Sequence, residues 1–274
     1  MFTLNCKGRL LTIEQPVVMG IINTTPDSFY DESRKATLDA ALQLAEKMIH
    51  DGATILDIGA QSTRPGSTKV GPEEEIKRLS SILPEIHRRF PETYISVDTY
   101  YSQVAIAAAD MGASIVNDIS GGQFDPAMIP TAARLHMSFV CMHVEGQQNT
   151  MHTTLVEGNV ITRVTDYFIQ KLGICTEHGL TDIILDPGFG FSKTPEQNFE
   201  LIRSVPQLKL LGKPVLIGVS RKSTIYKTLN CTPAEALNGT TVLHTSALLG
   251  GAHILRVHDV KEAMEAITLT RYLL

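Results

Sequence analysis

VVMGII at residues 17–22 is the first of eight short, mostly apolar and β-branched runs along the 274-residue chain. Near-continuous apolar runs of this length are typical of parallel strands that are buried on both faces. A helical pattern follows each run, so the sequence predicts eight successive βα units. The other seven runs are TILDIG (54–59), YISVD (94–98), SIVND (114–118), SFVCM (138–142), DIILD (182–186), PVLIG (214–218) and HILRV (253–257).

Two of the helical patterns have recognisable ends. LDAALQLAEKMIHDGA (38–53) closes on Gly52, which suits the C-terminus of a helix. PEEEIKRLSSILPEIHRR (72–89) opens on Pro72 and three glutamates, which suit a solvated helix start. Eight such units in 274 residues predict a single (β/α)8 TIM barrel that occupies residues 1–274.

The alternative fold is an open, doubly wound sheet. That fold would place a glycine-rich turn after the first strand, but Asn23-Thr24-Thr25-Pro26 stands there instead. The sequence also contains no Gly-x-x-x-x-Gly-Lys-Ser/Thr phosphate-binding loop. The barrel is therefore the fold that we expect.

Composition narrows the classes of protein. With 24 Lys and Arg against 29 Asp and Glu the net charge is −5, which does not suit a nucleic-acid-binding protein. The hydrophobic fraction of 43% argues against disorder, and no apolar stretch has the length of a membrane-spanning helix. The four cysteines form no Cys-x-x-Cys pair and no signal peptide is evident, so we expect reduced thiols in a cytoplasmic protein without membrane or nucleic-acid partners.

Hydrogen-bonding side chains stand at the ends of the predicted strands, where the active site of such a barrel lies. The carboxylates and amides suit a flat heterocycle with several N–H donors, since a carboxylate can pair with a guanidine-like edge through two bonds. Arg256 and His258 are two positions apart and face one side of a strand, where they can bind a phosphate or pyrophosphate together with Arg64. The pattern predicts a ring-binding end and an anion-binding end. The candidates for the ring end are Asp98, Asn117, Asp186 and Lys222, and the residues here leave open whether Asp57 and Asp118 are structural.

Two long loops follow the first and second predicted strands. They are TTPDSFYDESRKAT (24–37) and GAQSTRPGSTKVG (59–71). Loops of this length in a barrel are usually functional, so we expect both to close over bound substrate and exclude water.

Seven motifs together resemble the dihydropteroate synthase family over nearly the whole chain. Each of them lies at a predicted strand end, and they occur in the family's order. They are MGIINTTPDSF (19–29), DIGAQSTRPG (57–66), SVDT (96–99), NDISGG (117–122), DPGFGF (186–191), SRKS (220–223) and RVHD (256–259).

The resemblance implies a reaction. Members of the family join para-aminobenzoate to 6-hydroxymethyl-7,8-dihydropterin diphosphate, with the help of Mg²⁺, and release pyrophosphate and 7,8-dihydropteroate. The implied route is dissociative, so pyrophosphate leaves before the amine attacks. The fold that it implies is a TIM barrel, and we expect a homodimer that binds these small molecules and is a target of sulfonamides.

The resemblance also implies roles for individual residues. The pterin would be held by Asp98, Asn117, Met142, Asp186, Phe191 and Lys222, and the diphosphate by Asn23, Thr63, Arg256 and His258. Asn23 would also reach Mg²⁺, because one amide oxygen can suffice beside phosphate oxygens. Para-aminobenzoate would lie against Phe29, Thr63, Pro65, Phe191 and Ser223, the last at a helix start. The chemistry would fall to Asn23, Asp31, Arg64, Lys222, Arg256 and His258.

Some positions depart from the family pattern. Gln61 stands where many members have Glu, Ser192 stands where many have Gly, and the segment 142–152 lacks a common Pro. Two other functions stay open. One is a pterin-binding barrel of the methyltransferase kind, which would lack the SRKS and RVH set. The other is a non-catalytic pterin-binding protein, which would have lost loop residues that are present here.

Overall fold

Eight parallel strands form one sheet in the computed structural model, which describes residues 1–24, 31–61, 70–151 and 153–274 and only the backbone of 31–37. An antiparallel pair precedes them, β1 (Phe2–Cys6) and β2 (Arg9–Ile13). The eight are β3 (Val17–Asn23), β4 (Ile55–Gly59), β5 (Tyr94–Asp98), β6 (Ile115–Asp118), β7 (Ser138–Met142), β8 (Ile183–Asp186), β9 (Leu216–Ile217) and β10 (Ile254–Val257). Their order is β8-β7-β6-β5-β4-β3-β10-β9, and a bridge between Leu185 and Val215 joins the two edges. The predicted (β/α)8 barrel is confirmed.

Helices follow the barrel strands and cover their outer faces. They are α1 (Asp31–His50), α2 (Pro72–Leu79), α3 (Leu83–Arg89), α4 (Ser102–Asp110), α5 (Met128–Arg134), α6 (Val160–Glu177), α7 (Pro195–Arg203), α8 (Val205–Leu208), α9 (Ser223–Thr228), α10 (Leu237–Leu249) and α11 (Val260–Thr270). Two short 3-10 turns lie at Lys209–Leu211 and Pro233–Glu235. Among the described residues, no helix combines the length and apolarity needed to cross a bilayer.

Two helix predictions need correction. The first helix begins at Asp31 rather than at residue 38, so Asp31 starts a helix and does not lie in a loop. The stretch 31–37 contains Glu, Arg, Lys and Ala, which have high helix propensity. The pattern at 72–89 is two helices, because Pro84 near the start of α3 has no N–H to continue the helical bonding from α2.

The pair β1–β2 was absent from the sequence prediction. Its inward residues Leu4, Cys6, Leu11 and Ile13 are almost fully buried. They pack against a layer of barrel side chains at the amino ends of the strands, formed by Met19, Ile55, Ile115, Val140, Ile184, Leu216 and Ile254. The hairpin therefore covers the end of the barrel opposite to the predicted site.

Candidate active site

The carboxyl ends of the strands bring the predicted ring-binding residues together. Asp98 on β5 is the direct partner of Asn117 on β6, and Met142 on β7 is the partner of Asp186 on β8. Parallel pairing places Asp98 beside Asn117 and Met142 beside Asp186, and all four lie at the carboxyl ends of their strands. Asn117 and Asp186 are almost fully buried, so an interacting ring would displace little water from them.

Arg256 on β10 links two strands across the barrel mouth. Its Nε lies 2.6 Å from Asp57 Oδ2, and its Nη2 lies 2.6 Å from Asp98 Oδ2. Asn117 Nδ2 donates to the same oxygen of Asp57 at 2.9 Å. The predicted ring end and anion end therefore meet at Arg256, which touches a residue of the ring end directly.

Asp57 and Asp118 serve the framework. Asp57 is fully buried beneath Arg256 and Asn117, and its Oδ1 has no hydrogen-bond partner among the described residues. Asp118 accepts bonds from the backbone and hydroxyl of Ser120 at 2.7 Å and from the backbone of Gly122 at 2.8 Å. Asn117 thus reaches the barrel interior, whereas Asp118 fixes the turn that follows β6.

A second part of the site is formed after β8. Asp186 Oδ1 accepts the N–H of Gly188 at 2.8 Å, which fixes the carboxylate beside the turn. Lys222 Nζ donates to the carbonyl of Phe189 and lies 4.8 Å from the ring centroid of Phe191. Phe191 belongs to the same apolar cluster as Met142. A carboxylate and an amine therefore lie beside an apolar wall, as suits a flat polar ring.

Burial shifts the titration of these groups. It raises the pKa of Asp98 to about 7, against the opposing charge of Arg256, and it also raises the pKa of Asp186. Burial lowers the pKa of Lys222 to about 8, although the carboxylate of Asp186 opposes the shift. For Arg256 burial is outweighed by the carboxylates of Asp57 and Asp98, so its pKa rises and it stays charged.

The predicted anion-binding residues lie around the ends of β3, β9 and β10. His258 follows β10, and its Nδ1 and backbone N each lie 3.2 Å from Ser220 Oγ. Asn23 is exposed at the end of β3, and a Cβ added to Gly59 would lie 3.8 Å from its Oδ1. Ser223 is the first residue of α9, as expected.

Arg221 ties two of these segments together. Its Nε and Nη2 bond to the two carboxylate oxygens of Asp259 at 2.8 and 3.0 Å. The backbone at Arg221 has a positive φ of 51°. Because this pair joins the turn after β9 to the residue after β10, it holds Lys222 and His258 in fixed relative positions.

Several predictions fall on residues outside the described ranges. These are the sites named at Phe29, Thr63, Arg64 and Pro65, together with most of both predicted loops. For Asp31 only the backbone is described.

Glu75 was expected in a solvated helix start, and that expectation is wrong. It is 1% exposed and accepts the hydroxyl of Thr99 at 2.9 Å. When the Gln61 amide is oriented to satisfy its partners, its nitrogen donates to Glu75 Oε1 at 2.7 Å and its oxygen accepts the Tyr100 hydroxyl at 2.5 Å. Burial raises the pKa of Glu75 to about 7, against the hydrogen bond from Thr99. A helical wheel of α2 places it beside Leu79, which is the signal that could have found it.

Comparisons with known proteins point to one family. The family model for pterin binding enzymes matches residues 19–258. Dihydropteroate synthase of Escherichia coli strain K12 is 40% identical over 263 residues, which cover 95% of this chain and 93% of the relative.

Solved structures point to the same family. Yersinia pestis dihydropteroate synthase in complex with a sulfonamide drug has a TM-score of 0.91 and 36% identity, with coverage of 99% of this chain and 98% of that chain. Xanthomonas albilineans dihydropteroate synthase with 4-aminobenzoic acid has a TM-score of 0.90 and 34% identity, with coverage of 99% and 97%. The chain therefore belongs to the pterin-binding enzyme family. Within that family it is a member of the dihydropteroate synthases, which are transferases of folate biosynthesis.

Proposed function

We propose that this chain condenses 6-hydroxymethyl-7,8-dihydropterin diphosphate with para-aminobenzoate, giving 7,8-dihydropteroate and pyrophosphate. The observation that carries the proposal is the group of Asp98, Asn117, Asp186 and Lys222 beside Arg256 at one end of a barrel, in which Asn117 and Asp186 are buried and Asp98 and Lys222 are partly exposed. This group combines acceptors for a pterin ring with a cation within reach of a diphosphate.

The pterin ring would enter between the apolar wall and the buried polar residues. Asp186 would accept two N–H bonds from the amidine-like edge of the ring, which is the strongest geometry for a carboxylate. Asp98 and Asn117 would meet the opposite edge, and Lys222 would donate to a ring acceptor. Met142 and Phe191 would lie against the ring faces, since both belong to one apolar cluster.

Arg256 would hold the diphosphate without leaving its carboxylate partners. Its two bonds to Asp57 and Asp98 use two of the five N–H donors of a guanidinium, so others can point to phosphate oxygens. His258 would add a ring N–H, because Ser220 lies against its Nδ1. These donors stabilise the negative charge that grows on the leaving pyrophosphate.

Mg²⁺ fits this arrangement as an ion shared with the diphosphate. Asn23 places an exposed amide oxygen beside Gly59 and Asp98, and oxygen ligands are those that Mg²⁺ prefers. Among the described residues no group of three His, Cys, Asp or Glu could hold a metal. The ion would therefore depend on phosphate oxygens for most of its ligands, and when bound it would neutralise their charge.

The reaction would follow a dissociative route. The bond between the pterin methylene carbon and the diphosphate oxygen breaks, and its electron pair leaves with pyrophosphate. The cation that remains is conjugated with the ring, and the amine of para-aminobenzoate attacks it and then loses a proton. The carboxylate of para-aminobenzoate would lie near Ser223. The two loops predicted after the first and second barrel strands would exclude water, which would otherwise capture the cation.

The expected homodimer and cytoplasmic location stay proposals. Support for the dimer comes from exposed apolar side chains on the last two helices, among them Val242, Leu249 and Leu269. Exposed apolar residues grouped on neighbouring helices are typical of subunit contacts. Sedimentation at several protein concentrations would measure the state.

Pyrophosphate release, coupled with mass detection of dihydropteroate, tests the function. The assay contains the dihydropterin diphosphate, Mg²⁺ and para-aminobenzoate. Release that depends on para-aminobenzoate and yields dihydropteroate would support the proposal. Binding of the pterin without release would instead indicate a non-catalytic pterin-binding protein, and an absence of pterin binding would contradict the site itself.

A further inference from the structure

The connections that follow β7 and β8 are interlocked just above the predicted pterin slot. The N–H of His143 donates to the carbonyl of Asp186 at 2.9 Å, which extends the pairing beyond β7. Gly188 has a φ of +71°, and a Cβ added there would lie 2.1 Å from the carbonyl oxygen of His143. Only glycine allows the two backbones to approach so closely.

Lys193 binds both connections through its one side-chain nitrogen, whose pKa is lowered to about 7 by burial. The side chain is buried, with 7% exposed. Its Nζ lies 3.0 Å from His143 Nδ1, 3.1 Å from the carbonyl of Gly188 and 3.0 Å from the carbonyl of Phe191. Burial lowers the pKa of His143 to about 2, so the ring is neutral and its Nδ1 can accept the bond. Lys193 therefore satisfies backbone groups on both sides of the turn that carries Phe191.

Ser192 makes a second set of bonds between the same connections. Its Oγ lies 3.0 Å from the N–H of Glu145, 3.1 Å from the carbonyl of Glu145 and 3.0 Å from the carbonyl of Met151. Its own carbonyl accepts the N–H of Val156 at 2.8 Å. The residue is 4% exposed, so these groups have little access to water.

The backbone at Ser192 is unfavourable for a residue with a side chain. Its φ is +55°, in the left-handed region that favours glycine. In this conformation the serine hydroxyl bonds to Glu145 and Met151, which glycine cannot do.

We propose that Ser192 and Lys193 are positioning residues that fix the width of the pterin slot by fastening the connection after β7 to the turn after β8. The two walls of the slot depend on these connections, because Met142 ends β7 and Phe191 precedes Ser192. Met151, whose carbonyl Ser192 binds, lies in the apolar cluster of both walls. The role in binding rests on the proposed function, whereas the fastening itself does not.

Two substitutions at Ser192 separate the hydroxyl from the backbone. Ser192→Gly removes the hydroxyl and also relieves the strain of the left-handed conformation. Ser192→Ala removes the hydroxyl but leaves that strain in place. We expect both variants to raise the KM for dihydropterin diphosphate about fivefold, because that factor corresponds to one lost buried hydrogen bond. The kcat and the KM for para-aminobenzoate should change less than twofold. Only Ser192→Ala should also lower the Tm clearly. Ser81→Ala is the control, since that hydroxyl bonds the carbonyl of Arg78 far from the slot.

Amide hydrogen exchange without substrate tests the fastening independently of activity. In both Ser192 variants, exchange in the peptide that covers 143–151 should become about fivefold faster, and exchange in β1–β2 should not change. Lys193→Met should accelerate the same peptide further, and if that variant fails to fold, the Ser192 pair decides. Wild-type exchange and wild-type pterin KM in both Ser192 variants would overturn the proposal. Faster exchange and a higher pterin KM in Ser192→Ala alone would also overturn it, because both variants lack the hydroxyl.

Discussion

Arg256 Nε and Asp57 Oδ2 are 2.6 Å apart, although the two residues are 199 positions apart in the chain. The carboxylate of Asp57 is fully buried and the Arg256 side chain is 20% exposed. The same carboxylate oxygen accepts a bond from Asn117. Asp57 need not touch a substrate, yet it positions Asn117 at the ring-binding end of the site and Arg256 at the anion-binding end.

Asp57→Asn should weaken both stability and catalysis. Breaking a buried ion pair by removing one charge costs about 3–5 kcal/mol, because the remaining charge is left without compensation. Asp98 still pairs with Arg256. We therefore expect the free energy of unfolding to fall by about 3 kcal/mol, and we expect a lower kcat/KM. Urea denaturation and pyrophosphate release would measure these effects. Asp39→Asn on the exposed face of α1 is the control, and equal stability of the two variants would contradict the prediction.

Asp186→Asn should weaken pterin binding while leaving the fold intact. The asparagine can still accept the N–H of Gly188, but it cannot accept two bonds from the ring. Loss of a charged hydrogen bond, worth about 1.5–3 kcal/mol, predicts a Kd for the pterin that is roughly 10- to 100-fold higher. Calorimetric titration would measure it, with Asp166→Asn on the exposed side of α6 as the matched control. A Kd like that of the wild type would exclude Asp186 from the pterin site.

Glu75→Gln should change how stability depends on pH. Burial raises the pKa of Glu75 from 4.5 to about 7 in the folded state, so the folded protein binds the extra proton. The contribution of protonated Glu75 to stability is fully present below about pH 4.5 and is lost as the pH rises through 7. A shift of this size corresponds to about 3 kcal/mol.

The Gln variant has no such proton to lose. Relative to the wild type, its free energy of unfolding should therefore rise by about 3 kcal/mol between pH 4.5 and pH 8. Denaturation at a series of pH values would measure the difference. Glu73→Gln, on the exposed side of the same helix, should follow the wild type at every pH. A parallel curve for Glu75→Gln would show that Glu75 titrates normally.

Sulfonamides should compete with para-aminobenzoate. They carry the same aromatic amine with an acidic group at the opposite end of the ring, so both compounds would use one site. Initial rates at several drug concentrations should show a rising apparent KM for para-aminobenzoate at constant kcat. If the drug lowered kcat and left this KM unchanged, the two compounds would bind at different places.

The barrel was predictable because each strand is buried on both faces and therefore stands out as an apolar run. The hairpin β1–β2 was missed, since its strands alternate inward and outward residues over only five positions. Its turn uses Lys7 and Gly8 with φ values of 53° and 86°, and Lys at such a turn is a weak sequence signal.

The sequence predicted which residues belong to the site better than it predicted the contacts between them. Strand ends can be found by periodicity, and thus Asp98, Asn117 and Asp186 could be named. The bonds from Arg256 to Asp57 and from Lys193 to the turn at Gly188 and Phe191 depend on side chains that cross between elements. Local pattern holds no record of such distant pairs, and Glu75 was misplaced because it belongs to a run of three glutamates at a helix start.

The apolar layer beneath β1–β2 also limits how substrates could reach the proposed site. Among the described residues that layer fills the amino end of the barrel, so we expect molecules to enter and leave at the carboxyl ends of the strands. Under the proposed function both substrates and the product would share that side of the barrel. The product would then have to leave before the next pterin could enter.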